Sequence, residues 1–532
     1  MRRVLLATLS TFVVIAAFAA PAAAAPAPQF IETQTDNPVT AEPPVSRPAG
    51  PHCTVTLADH FMSNAPDRTP QTFSGTLTPP SACPGPWAKV VMDYTVSVSG
   101  RQYDRIGDLN IGGTEVWWGT TEEPSGPTPI TYTVSKDVTE YTALLRTAQP
   151  FTGGIGNYVT DVYTGNYDQT VTLTYYRGRA PADTPDAVVG FPGQELASST
   201  NITHLSLTNL PRNITRAYLE VTLEGHGCDE QWFSDVPADV AAKYPNAGMC
   251  THGSYREADA SLDGTPVAAV HTFPHIYTGG IVPTLWRPIP AIHTFSLYAE
   301  RVDVTPFVGR LVDGGTHDLA FTVQNNGDSW SVVATLLLYT DHHAAQTHGA
   351  LTTDTVAPAA TEHVAETSQS GGTRIVNTTS RNDVTAGYVD TSSGRVYTRV
   401  VRTMAYRNND TVTANGLAQY IVQHDSGTQT STANGRVVNR HAYDYPITID
   451  YSAAAYVDDQ NFSLTGTVDM TQSLVDSKLG ASTENVHSYG ILSRVNGVNT
   501  ESDGNSTSFY ASPGYVHYLA SNHGLITRDV SH

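Results

Sequence analysis

The sequence predicts an all-β protein, and three observations carry that reading. The first is alternation with period two: Val90, Met92, Tyr94, Val96 and Val98 are apolar, while Asp93, Thr95 and Ser97 between them are polar. Val171-Thr172-Leu173-Thr174-Tyr175 and Leu219-Glu220-Val221-Thr222-Leu223 repeat the pattern. A half-buried strand requires it, because successive side chains point to opposite faces. The second is composition: 40% hydrophobic, only 15% charged, with 42 glycines and 33 prolines, the profile of a turn-rich chain. The third is the lack of long helical periodicity. Short helical turns are expected near Thr139–Leu145 and Ala238–Lys243, and the apolar run Val332–Tyr339 suits a central strand covered on both sides.

Taken in order, the chain opens on Met1-Arg2-Arg3, an apolar run Val4–Ala20 and small residues from Pro21 to Ala25. This is the arrangement of a secretory signal peptide over residues 1–25, cut near Ala23–Ala25. The run is short for a membrane anchor, and no second apolar stretch of spanning length follows. The expected product is secreted, extracellular and free of the membrane. Residues 26–52, rich in Pro, Ala and Thr, are expected to form a flexible lead-in.

Four cysteines fall into local pairs, and an even number in an exported chain favours disulfides. Three pairings are formally possible. Near-neighbour closure costs least loop entropy, which favours Cys53–Cys83 and Cys228–Cys250. Zinc is the competing use of these residues, but neither C-x₂-C nor H-E-x-x-H spacing occurs, so no metal is expected. Asp137-Val138-Thr139 followed by Tyr141 and Leu144 is echoed by Asp303-Val304-Thr305 followed by Phe307 and Leu311. The echo suggests two similar sandwich domains, 53–180 and 190–345. Residues 346–373, rich in Thr, Ala and Ser, read as a linker to a third β unit at 374–532. That unit has candidate strands Val400–Tyr406, Tyr420–His424, Ile447–Tyr451 and Phe462–Val468. With 29 basic against 50 acidic residues the formal charge is −21, the wrong sign for binding phosphates, so nucleic acid is excluded as a partner.

Two clusters could carry chemistry. Gln102-Tyr103-Asp104-Arg105-Ile106 runs into Gly112-Gly113-Thr114-Glu115-Val116-Trp117. Aromatic faces stack on pyranose rings and carboxylates accept hydrogen bonds from hydroxyls, so a sugar-handling site could be built from such residues. An Asp–Arg pair that merely pins a strand to a loop would look the same. The second cluster is Gly225-His226-Gly227-Cys228-Asp229-Glu230-Gln231-Trp232, followed after the cysteine loop by Arg256-Glu257. It could equally be a stapled surface loop. Glu257 starts an expected strand, Glu257–Leu262, and strand-borne carboxylates are positioned more tightly than loop-borne ones. Two carboxylates on separate domains could flank one cleft and supply the base and acid of an amide or glycoside hydrolysis; spacing alone does not choose between those reactions.

Several ordered stretches resemble the peptide-N-glycosidase A amidases. They are Pro84-Gly85-Pro86-Trp87-Ala88-Lys89-Val90-Val91, Gln102–Ile106, Gly112–Trp117 and Thr120-Thr121-Glu122-Glu123-Pro124 in the first half. The second half adds Arg256-Glu257, Ser261-Leu262-Asp263-Gly264, Phe273-Pro274, Tyr277-Thr278-Gly279-Gly280-Ile281 and Leu285-Trp286-Arg287-Pro288-Ile289, and Tyr515–Asp529 is similar more faintly. The resemblance implies hydrolysis of the β-aspartylglucosamine amide of N-glycosylated peptides or glycoproteins, with asparagine converted to aspartate and the glycan released as a glycosylamine. It implies a likeness to the bacterial peptide-N-glycosidase F enzymes, and so two adjoining jelly rolls with acids at their interface.

On that likeness Asp104 is the principal catalytic carboxylate, activating water and kept ionised by Arg105. Glu257 matches a second acid that orients substrate, and Asp161, in Val159-Thr160-Asp161-Val162-Tyr163, a third. Trp117, Trp232 and Trp286 are candidates to stack on the chitobiose core, with Arg105, Asp229, Glu230 and Arg256 as further substrate contacts. The sequence departs from its relatives at Cys228, where they carry Asp, and at His275, where they carry an apolar residue. No cofactor is implied, and a monomer is expected. The third unit is expected to stand outside the chemistry, so a fragment ending near residue 350 should keep some activity if it folds. Two alternatives stay open: a non-catalytic glycan-binding protein on the same scaffold, and a glycosidase cutting between the two core sugars.

Overall fold

The computed structural model describes residues 36–453, 455–477 and 479–532. The expected signal peptide, 1–25, and the start of the lead-in lie outside the described residues. Eight strands form the first unit: β1 (His52–Met62), β2 (Phe73–Leu77), β3 (Trp87–Val98), β4 (Ile106–Ile111), β5 (Thr114–Thr120), β6 (Ile130–Asp137), β7 (Gln149–Ile155) and β8 (Asp168–Arg177). They make two antiparallel sheets, ordered β1-β8-β3-β6 and β2-β7-β4-β5. The second unit comprises β9 (Ala187–Ala197), β10 (Thr203–Leu207), β11 (Ile214–His226), β12 (Glu257–Leu262), β13 (Thr265–His271), β14 (Ala299–Asp303), β15 (His317–Val323) and β16 (Ser329–Thr340). Its sheets, β14-β11-β16-β9 and β10-β15-β12-β13, repeat the same order. Each unit is a double Greek-key sandwich, the jelly roll. Both disulfides, Cys53–Cys83 and Cys228–Cys250, are formed.

The internal echo marks the same corner of both rolls. The Thr139 N–H donates to Asp137 Oδ1 and the Thr305 N–H to Asp303 Oδ1, each at 3.0 Å. Each threonine hydroxyl oxygen then accepts from a strand: Val90 of β3 at 3.0 Å and Ala217 of β11 at 3.2 Å. Tyr141 and Phe307 are buried just beyond. A threonine that closes an Asx turn thus also fixes the third strand of its roll.

The rolls meet along β11 and β16. Val332–Tyr339 is buried throughout, as its apolar run predicts, but its two faces serve different cores. Val332, Ala334, Leu336 and Leu338 enter the core of the second roll, whereas Leu337 and Tyr339 join that of the first, along with Tyr218. Backbone bonds add to the seam: Thr120 N–H to Thr294 O at 3.0 Å, and Leu297 N–H to Trp118 O at 3.0 Å.

The C-terminal part is one antiparallel sheet of eleven strands in a single layer. In chain order these are β17 (His348–Asp354), β18 (His363–Gln369), β19 (Gly372–Thr391), β20 (Gly394–Thr413), β21 (Ala418–Ala433), β22 (Arg436–Ser452), β23 (Phe462–Asp476), β24 (Gly480–Val495), β25 (Val498–Ser512), β26 (Tyr515–Asn522) and β27 (Leu525–Ser531). Burial alternates along the long strands, so one face looks inward and the other meets solvent. The inward face joins the core of the second roll. Two expectations are corrected here. The 346–373 stretch carries β17 and β18, both hydrogen-bonded to β19; its threonines fit extended backbone, and composition alone mistook edge strands for a linker. Residues 36–47 of the supposed flexible lead-in are strapped down, with Asp36 N–H on Gly524 O at 2.9 Å, Val39 N–H on Pro288 O at 3.0 Å and Ala41 fully buried.

The sheet is therefore structural to the second roll. Ile421, Ile447, Ile449, Val468, Met470 and Val486 are each at most 2% exposed. At about 1.5–3 kcal/mol per buried aliphatic side chain, their burial rivals the ~5–15 kcal/mol stability of a typical domain. A fragment ending near residue 350 is accordingly expected to lose its native packing. Near-UV circular dichroism should show loss of fixed aromatic signal, whereas the full chain should unfold with roll and sheet in one transition. A cooperatively folded fragment would show the sheet to be dispensable.

Candidate active site at the roll interface

Three carboxyl side chains converge where the rolls meet, each delivered by a different element. Asp104 lies on the loop entering β4, Glu123 just beyond the end of β5, and Glu224 near the end of β11. The loop between β13 and β14 closes over them with Tyr277, Gly279 and Arg287. A Cβ on Gly279 would stand 3.0 Å from Asp104 Oδ1 and 2.8 Å from Glu123 Oε2. Only glycine lets the loop backbone approach both acids this closely.

Local structure explains how Asp104 is held. The Arg105 N–H donates to Thr121 Oγ1 at 2.9 Å and the Thr121 N–H returns to Arg105 O at 2.9 Å. The Arg105 guanidinium turns away from the acid: it donates to Asn157 Oδ1 at 3.1 Å, Gln102 Oε1 at 2.8 Å and Tyr158 O at 3.0 Å, and lies 3.6 Å over the Tyr103 ring. The expected Asp104–Arg105 pair is thus corrected; Arg105 clamps the loop. The consequence is electrostatic. Burial pushes the Asp104 carboxyl up to about 6, with its own backbone N–H and the Arg105 charge only partly opposing the shift.

The neighbours are raised further. Burial pushes Glu123 up to about 7; Arg287 opposes the shift, Asp104 adds to it, and Arg101 opposes it again. Glu224, 1% exposed, is pushed up to about 8 by burial, although Oε2 accepts the Trp118 indole N–H at 2.6 Å. Asp104 repels the charged form of Glu224, and Tyr277 stands against the same carboxyl. Glu224 Oε1 and Glu123 Oε2 are buried without a hydrogen-bond partner among the described residues. Buried, unmatched acceptors at an interface are groups built to meet something else. Asp104 gives up its proton first and Glu224 last, so a base and an acid coexist near neutral pH.

Glu257 lies elsewhere. It is fully buried, and its oxygens are taken by the Tyr255 hydroxyl at 2.7 Å, Arg381 Nη1 at 2.6 Å and the Ala360 N–H at 2.8 Å. Arg381 belongs to β19 and also holds Asp259 at 3.1 Å and Asp383 at 3.2 Å. The geometry makes Glu257 part of the joint between the second roll and the C-terminal sheet, and brings Glu224 to Asp104 in its place. The alternation of β11 carried the signal: Leu219, Val221 and Leu223 face the core of the second roll, so Glu220, Thr222 and Glu224 face the other way.

Asp161 is a surface residue, paired with Arg68 at 2.8 Å and its side chain 90% exposed. Trp117, Trp232 and Trp286 are core residues, each at most 3% exposed. The Trp117 indole donates to Phe295 O at 3.1 Å and that of Trp286 to Gly280 O at 2.9 Å. The aromatic residue of the site is Trp118, one position along β5 and hence on the opposite face. Arg256 is sealed between Asp229 at 2.6 Å and Asp235 at 2.8 Å, with the Trp330 indole on Asp229 at 2.6 Å. These buried ions brace the loop that follows β11. His275 is buried and its Nε2 accepts the Tyr298 N–H at 3.0 Å, a packing role.

Of the second sequence cluster, Glu230 stays near the acids. It lines a cavity of about 190 Å³ together with Gln231, the Cys228–Cys250 disulfide and Gly279. Gly279 therefore borders the acids and the cavity alike.

The sequence profile of the family described as "Peptide N-acetyl-beta-D-glucosaminyl asparaginase amidase A" matches residues 38–357. A curated relative, the peptide-N4-(N-acetyl-beta-glucosaminyl)asparagine amidase A of Prunus dulcis, is 31% identical over 404 residues, covering 71% of this chain and 70% of that protein. Among solved structures, PNGase F, a glycosylasparaginase from Flavobacterium meningosepticum, aligns at 14% identity over 55% of this chain and 96% of its own, with a TM-score of 0.36. PNGF-II aligns at 13% identity over 55% of this chain and 66% of its own, with a TM-score of 0.37. The chain belongs to the peptide N-acetyl-β-D-glucosaminyl asparaginase amidase A family.

Proposed function

We propose that the protein hydrolyses the β-aspartylglucosamine amide of N-glycosylated peptides and proteins, releasing the glycan as a glycosylamine and leaving aspartate in the chain. The observation that carries this reading is the trio of interface carboxyls with separated proton affinities, in a member of this amidase family. Water attacks the asparagine side-chain carbonyl carbon and gives its proton to Asp104. The carbon–nitrogen bond then breaks as protonated Glu224 hands its proton to the departing sugar amine. Trp118 holds Glu224 in place, and Glu123 orients the substrate from the first roll. The two disulfides and the strongly acidic composition fit an exported protein that works without nucleic acid. We take the working unit to be a monomer, since all three acids come from one chain.

Mass spectrometry of a glycopeptide tests the reading directly. Amidase action converts the glycosylated asparagine to aspartate, a glycosidase leaves a sugar on asparagine, and a binding protein leaves the glycopeptide intact. Asp104→Asn is nearly isosteric, so folding should survive while the base is lost. Turnover should fall by about 10²–10⁴-fold, the usual contribution of a general base, and a folded variant with near-normal conversion would remove Asp104 from the mechanism.

The pH profile follows from the same shifts. As pH rises through about 6, Asp104 loses its proton and kcat/KM should climb. As it rises through about 8, Glu224 loses the proton it must donate and kcat/KM should fall. Glu224→Gln should lower turnover and abolish the alkaline limb; a profile with that limb intact would assign the acid elsewhere.

Glu257 should behave differently. Breaking a buried ion pair from one side costs about 3–5 kcal/mol, so Glu257→Ala should lower the melting temperature sharply. The milder Glu257→Gln should keep conversion per folded molecule near wild type. Loss of turnover at unchanged stability in the glutamine variant would return Glu257 to the chemistry.

A further inference from the structure

The cavity beside Gly279 has two walls of different origin. One belongs to the second roll, with Glu230, Gln231 and the Cys228–Cys250 disulfide. The other is the C-terminal sheet, which contributes Gln419 of β21, Tyr451 at the end of β22, and Tyr456 in the turn before β23. The amide nitrogen of Gln419 is committed to Ser234 O at 2.8 Å and Asp410 Oδ2 at 2.9 Å. The Tyr456 hydroxyl donates to Asp459 Oδ1 at 2.5 Å and its ring stacks on Phe462, with centroids 6.2 Å apart. These contacts fix both side chains where they line the cavity.

The sheet is also registered against the loop that carries Gly279. Gly466, Gly490 and Gly504 face one another across β23, β24 and β25. A Cβ on Gly490 would meet Thr284 Oγ1 at 2.7 Å and the Leu285 nitrogen at 2.9 Å, one on Gly504 would strike the Thr284 carbonyl, and one on Gly466 would press on Val282 at 3.1 Å. Into this row of missing side chains drops the segment Val282–Leu285. The Ser506 hydroxyl donates to Leu285 O at 2.8 Å and the Thr284 hydroxyl to Ile491 O at 3.1 Å. From Gly279 to the cradle is three residues, so the sheet wall and the acids share one rigid support.

The chemistry of the lining selects a ligand. Among the described residues, no lysine, arginine or histidine lines the cavity, which disfavours phosphate or acidic sugars. Aromatic rings, amides and one carboxylate are the groups that recognise a neutral pyranose, with apolar face stacked and hydroxyls hydrogen-bonded. At about 190 Å³ the space lies below the ~300–1,000 Å³ of pockets for whole drug-sized ligands, which suits a subsite for one ring. We propose that the C-terminal sheet completes the substrate site: the cavity holds a neutral sugar of the glycan beyond the one linked to asparagine, and Tyr451, Tyr456 and Gln419 set the selectivity for it. This rests on the amidase reading above.

The test uses the full-length protein and glycopeptides of one peptide sequence, bearing either a branched N-glycan or a single N-acetylglucosamine. Tyr451→Ala and Tyr456→Ala should raise KM for the branched substrate about three- to tenfold, as expected for loss of an aromatic contact. The kcat value and the KM for the single-sugar peptide should stay as in wild type below the melting temperature, which itself should fall because both rings pack on the core, and Tyr451→Trp, which keeps a ring, should restore KM. Calorimetric titration with free N,N′-diacetylchitobiose gives a readout independent of turnover: binding by the wild-type chain should weaken in both alanine variants. Equal KM increases for the two substrates would overturn the proposal by assigning the tyrosines to the peptide or the first sugar, as would no effect at all. A wild-type chain that binds the disaccharide through these tyrosines yet converts neither glycopeptide would sink the amidase reading and leave the sugar subsite standing.

Discussion

Strand β16 is buried on both faces because two domains share it, and much of the molecule follows from that constraint. Successive side chains of a strand point in opposite directions. Leu336 and Leu338 therefore feed one core while Leu337 and Tyr339 feed the other. The adjoining β11 is divided in the same way, with Leu219, Val221 and Leu223 inside the second roll and Glu220 and Glu224 directed at the first. Glu220 meets Arg301 at 2.6 Å and the Tyr141 hydroxyl at 2.9 Å. Glu224 meets Trp118. One apposition thus fixes the seam, neutralises the acid in its middle and leaves the acid at its end with an open oxygen.

The contrast between those two glutamates shows how the site is charged. Glu224 is buried and Glu220 largely so, with its side chain 13% exposed, yet Glu220 is held below the usual carboxylate range: burial alone would raise it, and Arg301 overrides that with charge and hydrogen bonds. Glu224 has only the His226 imidazole, 3.8 Å away and pushed toward its neutral form by burial, and is raised to about 8. Asp104 and Glu123 share its situation, with arginines close enough to moderate the shift and not to cancel it. Burying ionisable groups without full pairing works against stability, and the fold tolerates it only where the surrounding cores are large. The site sits between the two largest apolar cores of the described chain, whose walls on both sides hold the acids apart from bulk water.

Legibility in the sequence divides along physical lines. Period-two alternation marked β3, β8 and β11 because it reports local geometry, and the threonine echo marked matching corners because the Asx turn is closed within three residues. Asp104 stands out in the sequence through its place in an ordered motif. The errors share one cause: they needed the identity of the facing partner. Trp117 and Trp118 are neighbours in sequence, but parity alone decides that one fills a core and the other meets Glu224. Arg105 adjoins Asp104 along the chain, yet its side chain leaves toward Asn157. Glu257 had the residue type and strand position of a catalytic acid, while its partner Arg381 lies 124 residues away. The 346–373 stretch had loop composition, and β19 supplied the hydrogen bonds that made it a sheet edge.

The joint between the second roll and the C-terminal sheet carries the last step of this logic. An apolar face alone would let a sheet of such long strands slide by two residues, since that shift keeps the same side chains inward. Buried ion pairs remove that freedom. Arg381 on β19 must find Glu257 and Asp259, and Arg402 on β20 must find Glu300 at 3.2 Å and the Ala269 carbonyl. A displaced sheet would leave these arginines and acids buried and unpaired, a far larger loss than any packing it could recover. Register set at β19 and β20 is passed along the hydrogen-bonded ladder to β23, β24 and β25, where the glycine row must coincide with Val282–Leu285. Glu257 thus acts on the site without touching it: it belongs to the lock that holds the cradle under the loop that holds Gly279 against Asp104.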